Sequence, residues 1–342
     1  MIIIYDYYMI GQTRKQTKTQ RFISNPKERA MAILHLQQIS RQYKDGTKLY
    51  GLMKKYTELS RENPIKIRNP GHGDTIIHRY INNVNCNKTV ICVFPNNPRW
   101  GFGDYLRGSI SMAHYAKYFG VNFKMCMNTN PFGNYLNNID ENIPPSNKIN
   151  NITYHDKYYE IYELFVQFMK SNENTLYIST NTMYNMKLPT QDIKDTINSF
   201  LTFKPEYYDM AEQLFNLKNY NVIHVRCSDD CFNTDLNNKK IITLTNEIKT
   251  LQLSSDTIVM SNNYSLKKIL NKTFGFYFID KKSVHTAMVT NSNELDSTII
   301  EYIILSKSSH TYCFTYYAHG SGFSEQCSVL NNIPYQVTRV DI

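Results

Sequence analysis

Between residues 206 and 337 the chain alternates short apolar runs with longer amphipathic ones, and few folds accommodate that rhythm. The runs 222–225, 257–260, 276–279, 311–314 and 335–337 are rich in β-branched and aromatic residues and read as strands. Stretches 206–217, 241–251, 264–271, 296–306 and 323–331 carry apolar residues at helical spacing. Parallel strands need a crossover to join them, and a helix is the usual one, so this series predicts an open parallel sheet with helices on its faces. A βαβ unit stands upstream: strand 89–94, a loop with Pro95, Pro98, Gly101 and Gly103, helix 104–119 ending before Gly120, and strand 121–125. Residues 127–205 read as Asn- and Pro-rich loops broken by a helix near 158–169 and a strand near 176–179.

At roughly 100–200 residues per domain, 342 residues hold two such α/β units and an extension. The expected division is 1–85, 86–205 and 206–342, with the first part mainly helical: Asn25-Pro26 resembles a cap with proline at the first helical position, and a second helix follows Asp45-Gly46. With 42% hydrophobic and 20% charged residues the chain supports a core, which excludes a disordered or fibrous protein. No window approaches the ~20 apolar residues of a membrane span. The apolar start, residues 1–10, is broken by Asp6 and lacks a basic leader, so neither a signal peptide nor an anchor is expected. Seven scattered cysteines suit a reducing compartment, and cytoplasmic residence follows as the expectation. Only Cys227 and Cys231 are closely spaced, and two thiols without a second ligand pair do not make a zinc site, so no metal is expected.

Charge is unevenly placed. Residues 1–72 carry 14 Lys/Arg against 5 Asp/Glu, which accounts for the whole net charge of +9. Such a segment is either a solvated helical face or a contact for nucleic acid, an acidic glycan or an anionic surface such as peripheral membrane lipid, and Arg14, Lys15, Lys18 and Arg21 lie within it.

Two segments can carry chemistry. Val222-Ile223-His224-Val225-Arg226-Cys227-Ser228-Asp229-Asp230 is a hydrophobic strand that delivers a His, an Arg and two Asp at its carboxyl end, where open α/β sheets bind ligands. A guanidinium there can grip a diphosphate with two prongs. Farther on, helix 296–306, with Asp296 and Glu301, is followed by a strand and the turn His319-Gly320-Ser321-Gly322-Phe323-Ser324, which opens another helix. Glycine permits close approach, and the unpaired amides of a helix start suit phosphate oxygens. Each segment also has a plain structural explanation, as a solvated strand end and a connecting turn.

Taken in order, the two segments resemble the donor-binding domain of the fucosyltransferase superfamily with the GT-B fold, across its α1,2-, α1,6- and protein O-fucosyltransferase branches. The family's His-x-Arg strand end is similar to His224-Val225-Arg226, its acidic helix ending in Leu-Ser to Glu301 through Ser306, and its Ser/Thr-Phe-Ser turn to Gly322-Phe323-Ser324. Its glycine loop resembles Trp100-Gly101-Phe102-Gly103-Asp104. The matches span 89–125 and 221–337. Cys227 stands where a second arginine is often found, and 316–319 stand as an insertion before the turn.

The resemblance implies a GT-B-like pair of Rossmann-type domains facing across a cleft, with 86–205 on the acceptor side and 206–342 holding the nucleotide sugar. It implies inverting, metal-independent transfer of fucose from GDP-fucose, as a substrate and with no cofactor, to a glycan or glycoprotein acceptor. Arg226 would hold the β-phosphate and steady departing GDP. His224 with Asp296 or Glu301 would recognise guanine and ribose, while Ser321, Gly322, Phe323 and Ser324, with Gly101 and Gly103, would line the donor site. The general base is open among Asp104, Asp229, Asp74 and His72; Asp104 also suits a helix cap, and the Gly71-His72-Gly73-Asp74 turn a surface loop. Two other functions fit the same residues: a transferase for another nucleotide sugar, such as a GDP-linked rhamnose or a UDP-sugar, and a non-catalytic carbohydrate- or nucleic-acid-binding protein.

Overall fold

The first strand, β1 (Thr89–Val93), buries Val90, Cys92 and Val93 and is followed by α1 (Phe102–Phe119). In this computed structural model the described residues are 87–95, 100–137, 144–153, 158–182, 188–214, 218–227, 236–284, 286, 295–317 and 320–340. The expected helical and basic N-terminal segment therefore lies outside the described residues. Helix α1 begins two residues before the expected start. Its N-cap is Gly101, so Asp104 sits inside the first turn and does not cap. Gly120 ends the helix at φ 65°, a left-handed conformation that glycine adopts without strain, and its N–H reaches the carbonyl of Ala116.

Strand β2 (Asn122–Cys126) follows, then β3 (Ile149–Ile152), α2 (Tyr158–Lys170) and β4 (Thr175–Thr180), forming an all-parallel sheet in the order β2-β1-β4-β3. Helices α3 (Gln191–Phe200) and α4 (Pro205–Leu214) lead to a second parallel sheet. Its elements are β5 (Asn221–Arg226), α5 (Asn238–Thr250), β6 (Thr257–Ser261), α6 (Tyr264–Phe274), β7 (Tyr277–Phe278), α7 (Asp296–Ser306), β8 (His310–Thr315), α8 (Gly322–Leu330) and β9 (Tyr335–Arg339). The strand order is β7-β6-β5-β8-β9. The fold is thus the expected α/β pair of Rossmann-type sheets. Both sheets reverse their strand order beside the strand that opens them, between β1 and β4 and between β5 and β8. Crevices at the carboxyl ends of strands open at such reversals.

Two elements in 127–205 were not expected. Strand β3 reads Ile-Asn-Asn-Ile and pairs only with β4, so an edge position supplies what its composition does not. Helix α3 is polar overall, and its apolar anchors are Ile193 and Ile197, one turn apart.

Alternation along β5 decides what each face of the second sheet does. Val222 packs into a cluster that also holds Val90, Leu106 and Ile178 of the first sheet's layers and Ile300 and Ile303 of α7. Ile223, Val225 and Cys227 pack into a separate cluster with Leu244, Leu266 and Phe314. Side chains two apart share a face, so His224 and Arg226 point to the side turned toward the first sheet. Cys227, in place of a second arginine, is fully buried on the other side.

The two sheets meet where α1 and α8 start. A Cβ on Gly103 would overlap the backbone of Gly322 and Phe323, whereas one on Gly322 would lie 3.5 Å from the Gly103 carbonyl carbon, an ordinary contact. Gly103→Ala is therefore expected to cost about 1–3 kcal/mol as overpacking, and Gly322→Ala much less. Urea melts of the two variants check the asymmetry; equal losses would mean that the contact gives way from either side.

Candidate functional site

Strand β5 ends beside β8 in register Val225↔Phe314 and Arg226↔Thr315, at the reversal of the second sheet. Beyond β8 the chain turns at Gly320 and Ser321 into α8, whose first turn lies over the end of β5. His224 Nδ1 is 2.8 Å from Ser324 Oγ, and the His224 and Phe323 rings meet edge to face at 5.9 Å. His224 is buried, and desolvation, with the nearby Arg226 charge adding to it, pushes its pKa down to about 3. The imidazole is thus neutral near pH 7. It can offer one N–H and one lone pair, but no charge.

Arg226 is half-buried at the strand end, and its guanidinium stands 5.2 Å from the centre of the Tyr317 ring. Tyr317 lies two residues past the end of β8. Nothing in its pattern marks it as a partner of Arg226, because only the pairing of β5 with β8 brings them together. Ser321 is the N-cap residue of α8, and its side chain makes no capping bond.

The glycine loop of the first sheet comes to the same place. Gly103 abuts Gly322, as described, and Phe102 N–H donates to Thr286 Oγ1 at 2.7 Å. Phe102 meets Tyr302 edge to face at 5.3 Å, and Tyr302 meets Phe323 at 5.7 Å. A continuous set of rings thus runs from the glycine loop to His224. Gly103, His224, Phe323 and Ser324, chosen from three separate segments of sequence, are brought together by these contacts, and Gly101 is the N-cap of the helix that carries Gly103.

The acidic candidates are placed differently. Asp104, next to Gly103, is ion-paired with Arg107, whose Nε donates to the Asn181 carbonyl at 3.0 Å. Asp296 accepts a 2.8 Å hydrogen bond from Tyr135, tying α7 to the first sheet's layer. Burial and this carboxylate both push the Tyr135 phenol above its ordinary pKa, so it stays a donor. Glu301 is buried. Its Oε1 receives Ser283 Oγ at 2.6 Å and the ammonium of Lys267 at 3.2 Å. Asp229, His72, Asp74 and Cys231 lie outside the described residues. Among the described residues no group of three or more His, Cys, Asp or Glu is arranged to hold a metal ion, and no helix is long and apolar enough to cross a membrane.

No protein-family model and no curated protein matches the chain. Solved structures similar to it include the fucosyltransferase NodZ from Bradyrhizobium, at 15% identity over 71% of this chain and 92% of that one, with a TM-score of 0.47. A point mutant of Arabidopsis thaliana FUT1 in complex with GDP is similar at 12% identity, over 85% of this chain and 78% of that one, with a TM-score of 0.45. POFUT1 in complex with GDP-fucose gives 10% identity, 75% of each chain and a TM-score of 0.33.

Proposed function

We propose that this chain is a glycosyltransferase that binds a nucleoside-diphosphate sugar at the end of β5 and transfers the sugar, with fucose from GDP-fucose as the leading donor. One observation carries the proposal. His224 and Arg226 share the face of β5 turned toward the first sheet, at a strand-order reversal, with the start of α8 and the glycine loop of α1 closing on them. That is where an anionic ligand meets a cation, a neutral imidazole and a helix start together.

In the reaction we propose, an acceptor hydroxyl of a glycan or glycoprotein attacks the anomeric carbon. The bond from that carbon to the β-phosphate oxygen breaks, and its electron pair leaves with the nucleoside diphosphate. Arg226 holds the charge that grows there. The hydroxyl proton passes to a carboxylate, for which Asp104 is the candidate among the described residues. His224, Ser321 and Ser324 contact the donor, with Asp296 beside them in this proposal. Glu301 already answers Lys267 and Ser283, so we assign it to holding α7 in place. We place the basic segment 1–72 at the acceptor or at an anionic surface, and the protein in the cytoplasm. A transferase acting on another nucleotide sugar keeps every role except recognition of the base and the sugar.

The proposal is tested by melting the protein with GDP, UDP, ADP or CDP, each with and without EDTA. A ligand at ~100 times its Kd that binds only the folded state adds about 2.7 kcal/mol. GDP is expected to give the largest shift, and EDTA to leave it intact, because Arg226 supplies the positive charge. A UDP preference favours the second donor class. A GDP shift that vanishes in EDTA and returns with Mn²⁺ overturns the metal-independent mechanism, and no shift with any nucleotide overturns the site.

A further inference from the structure

Arg226 is half-buried at the carboxyl end of β5, inside the second sheet. On one side it pairs with Thr315 of β8, but on the other β6 stops one rung short, its last register pair being Val225↔Ser261. A strand end supported on one side frays, and a guanidinium carried on it would wander relative to a diphosphate.

Side chains replace the missing rung. Cys227 N–H donates to Asn262 Oδ1 at 2.8 Å, and Asn262 Nδ2 donates to the Cys227 carbonyl at 3.1 Å. Ser261 Oγ donates to the Val225 carbonyl at 2.9 Å and accepts the Asn263 N–H at 3.0 Å. The backbone is thus held immediately before and immediately after Arg226 by two consecutive residues at the end of β6. Asn263 has separate work: its Oδ1 caps α6 by accepting from Leu266 N–H at 2.9 Å. A carboxamide suits the Asn262 position because it carries a donor and an acceptor on one planar group.

We infer that Asn262 is a positioning residue for Arg226, clamping the strand end so that the guanidinium meets the β-phosphate of the bound nucleotide. This inference rests on the proposed diphosphate role of Arg226. The test measures the affinities of the full-length protein for GDP and for GMP, which lacks the β-phosphate, by calorimetry. The proteins are wild type, Arg226→Ala, Asn262→Ala, Asn262→Asp and the Arg226→Ala/Asn262→Ala double variant. Asn262→Asp keeps the shape of the side chain but sets a carboxylate oxygen against the Cys227 carbonyl, so it breaks the clamp with the least disturbance to packing.

Asn262→Ala and Asn262→Asp are each expected to lower the preference for GDP over GMP about 10-fold, with GMP affinity little changed. In the Arg226→Ala background, Asn262→Ala is expected to lower that preference no further, since the two residues act as one unit. Equal losses for GDP and GMP, or a full additional loss of preference in the double variant, would overturn the inference while leaving the role of Arg226 standing. An Arg226→Ala variant with an unchanged GDP preference would instead remove the diphosphate role itself, and the inference with it. Should Asn262→Ala fail to fold, Asn262→Asp is compared in the wild-type and Arg226→Ala backgrounds: a carboxylate acting by its charge alone lowers the GDP preference in both and overturns the inference, whereas one acting by releasing Arg226 lowers it only in the first.

Discussion

Arg226→Ala is expected to slow transfer from GDP-fucose at least ~10²-fold, a loss of about 2.7 kcal/mol or more of transition-state stabilisation. The size follows from what the group would do. As the bond to the sugar breaks, the diphosphate gains charge in a site partly shielded from water, and removing the cation that faces it leaves that charge unanswered. The fold is expected to persist. The backbone of Arg226 is held by β8, by the Ser261 and Asn262 contacts and by the Tyr316 N–H to its carbonyl at 3.3 Å, none of which uses the guanidinium. Arg226→Lys is expected to recover part of the rate, because an ammonium keeps the charge but loses the planar fork and the flat face presented to Tyr317. Transfer rates and melting temperatures of the three proteins decide the matter. Wild-type transfer by Arg226→Ala removes the central residue of the mechanism. Loss of folding makes Arg226 a structural part of the strand end.

Much of this fold was legible because parallel strands buried on both faces announce themselves as short apolar runs, and because helices of three turns or more keep their period. Each of the five strands expected in 206–337 is present, with bounds shifted by a few residues. Legibility failed where partners, not composition, make an element: β3 with its paired asparagines, and α3 with its narrow stripe of Ile193 and Ile197. The same division runs through the site. His224, Arg226 and Ser324 could be chosen from sequence because each stands at the end of a strand or the start of a helix, where the period breaks, and Gly103 because its loop resembles the family's glycine loop. Tyr317 and Asn262 could not, since an exposed-looking tyrosine and the second letter of Ser-Asn-Asn become meaningful only once β8 and β6 are laid beside β5. Glu301 has a partner that its own stretch of sequence does not announce. Its spacing within α7 resembles a donor contact in the family, and Lys267, 34 residues earlier and fully buried, also meets its carboxylate.

That buried pair has the largest expected effect on stability. The ammonium of Lys267 has three acceptors: Glu301 Oε1 at 3.2 Å, the Lys281 carbonyl at 2.7 Å and Ser283 Oγ at 3.1 Å. Both side chains are shielded, Lys267 at 0% and Glu301 at 5% exposure. Glu301→Leu leaves an ammonium in apolar surroundings with two neutral dipoles for company, and about 3–5 kcal/mol is the expected loss. Lys267→Met should cost a similar amount, by stranding the carboxylate. Joining the two changes as Lys267→Met/Glu301→Leu removes both charges and their desolvation cost, so the double variant is expected to regain most of what either single variant loses. Chemical denaturation of the four proteins measures the coupling. The double variant also separates the two roles that Glu301 has been given, since its restored fold lets the donor site be examined without the carboxylate. If Glu301 only holds α7, GDP raises the melting temperature of the double variant as it does that of the wild type. If the fold returns and the GDP shift does not, Glu301 contacts the donor, as the family resemblance implied, and the buried pair is secondary to that role.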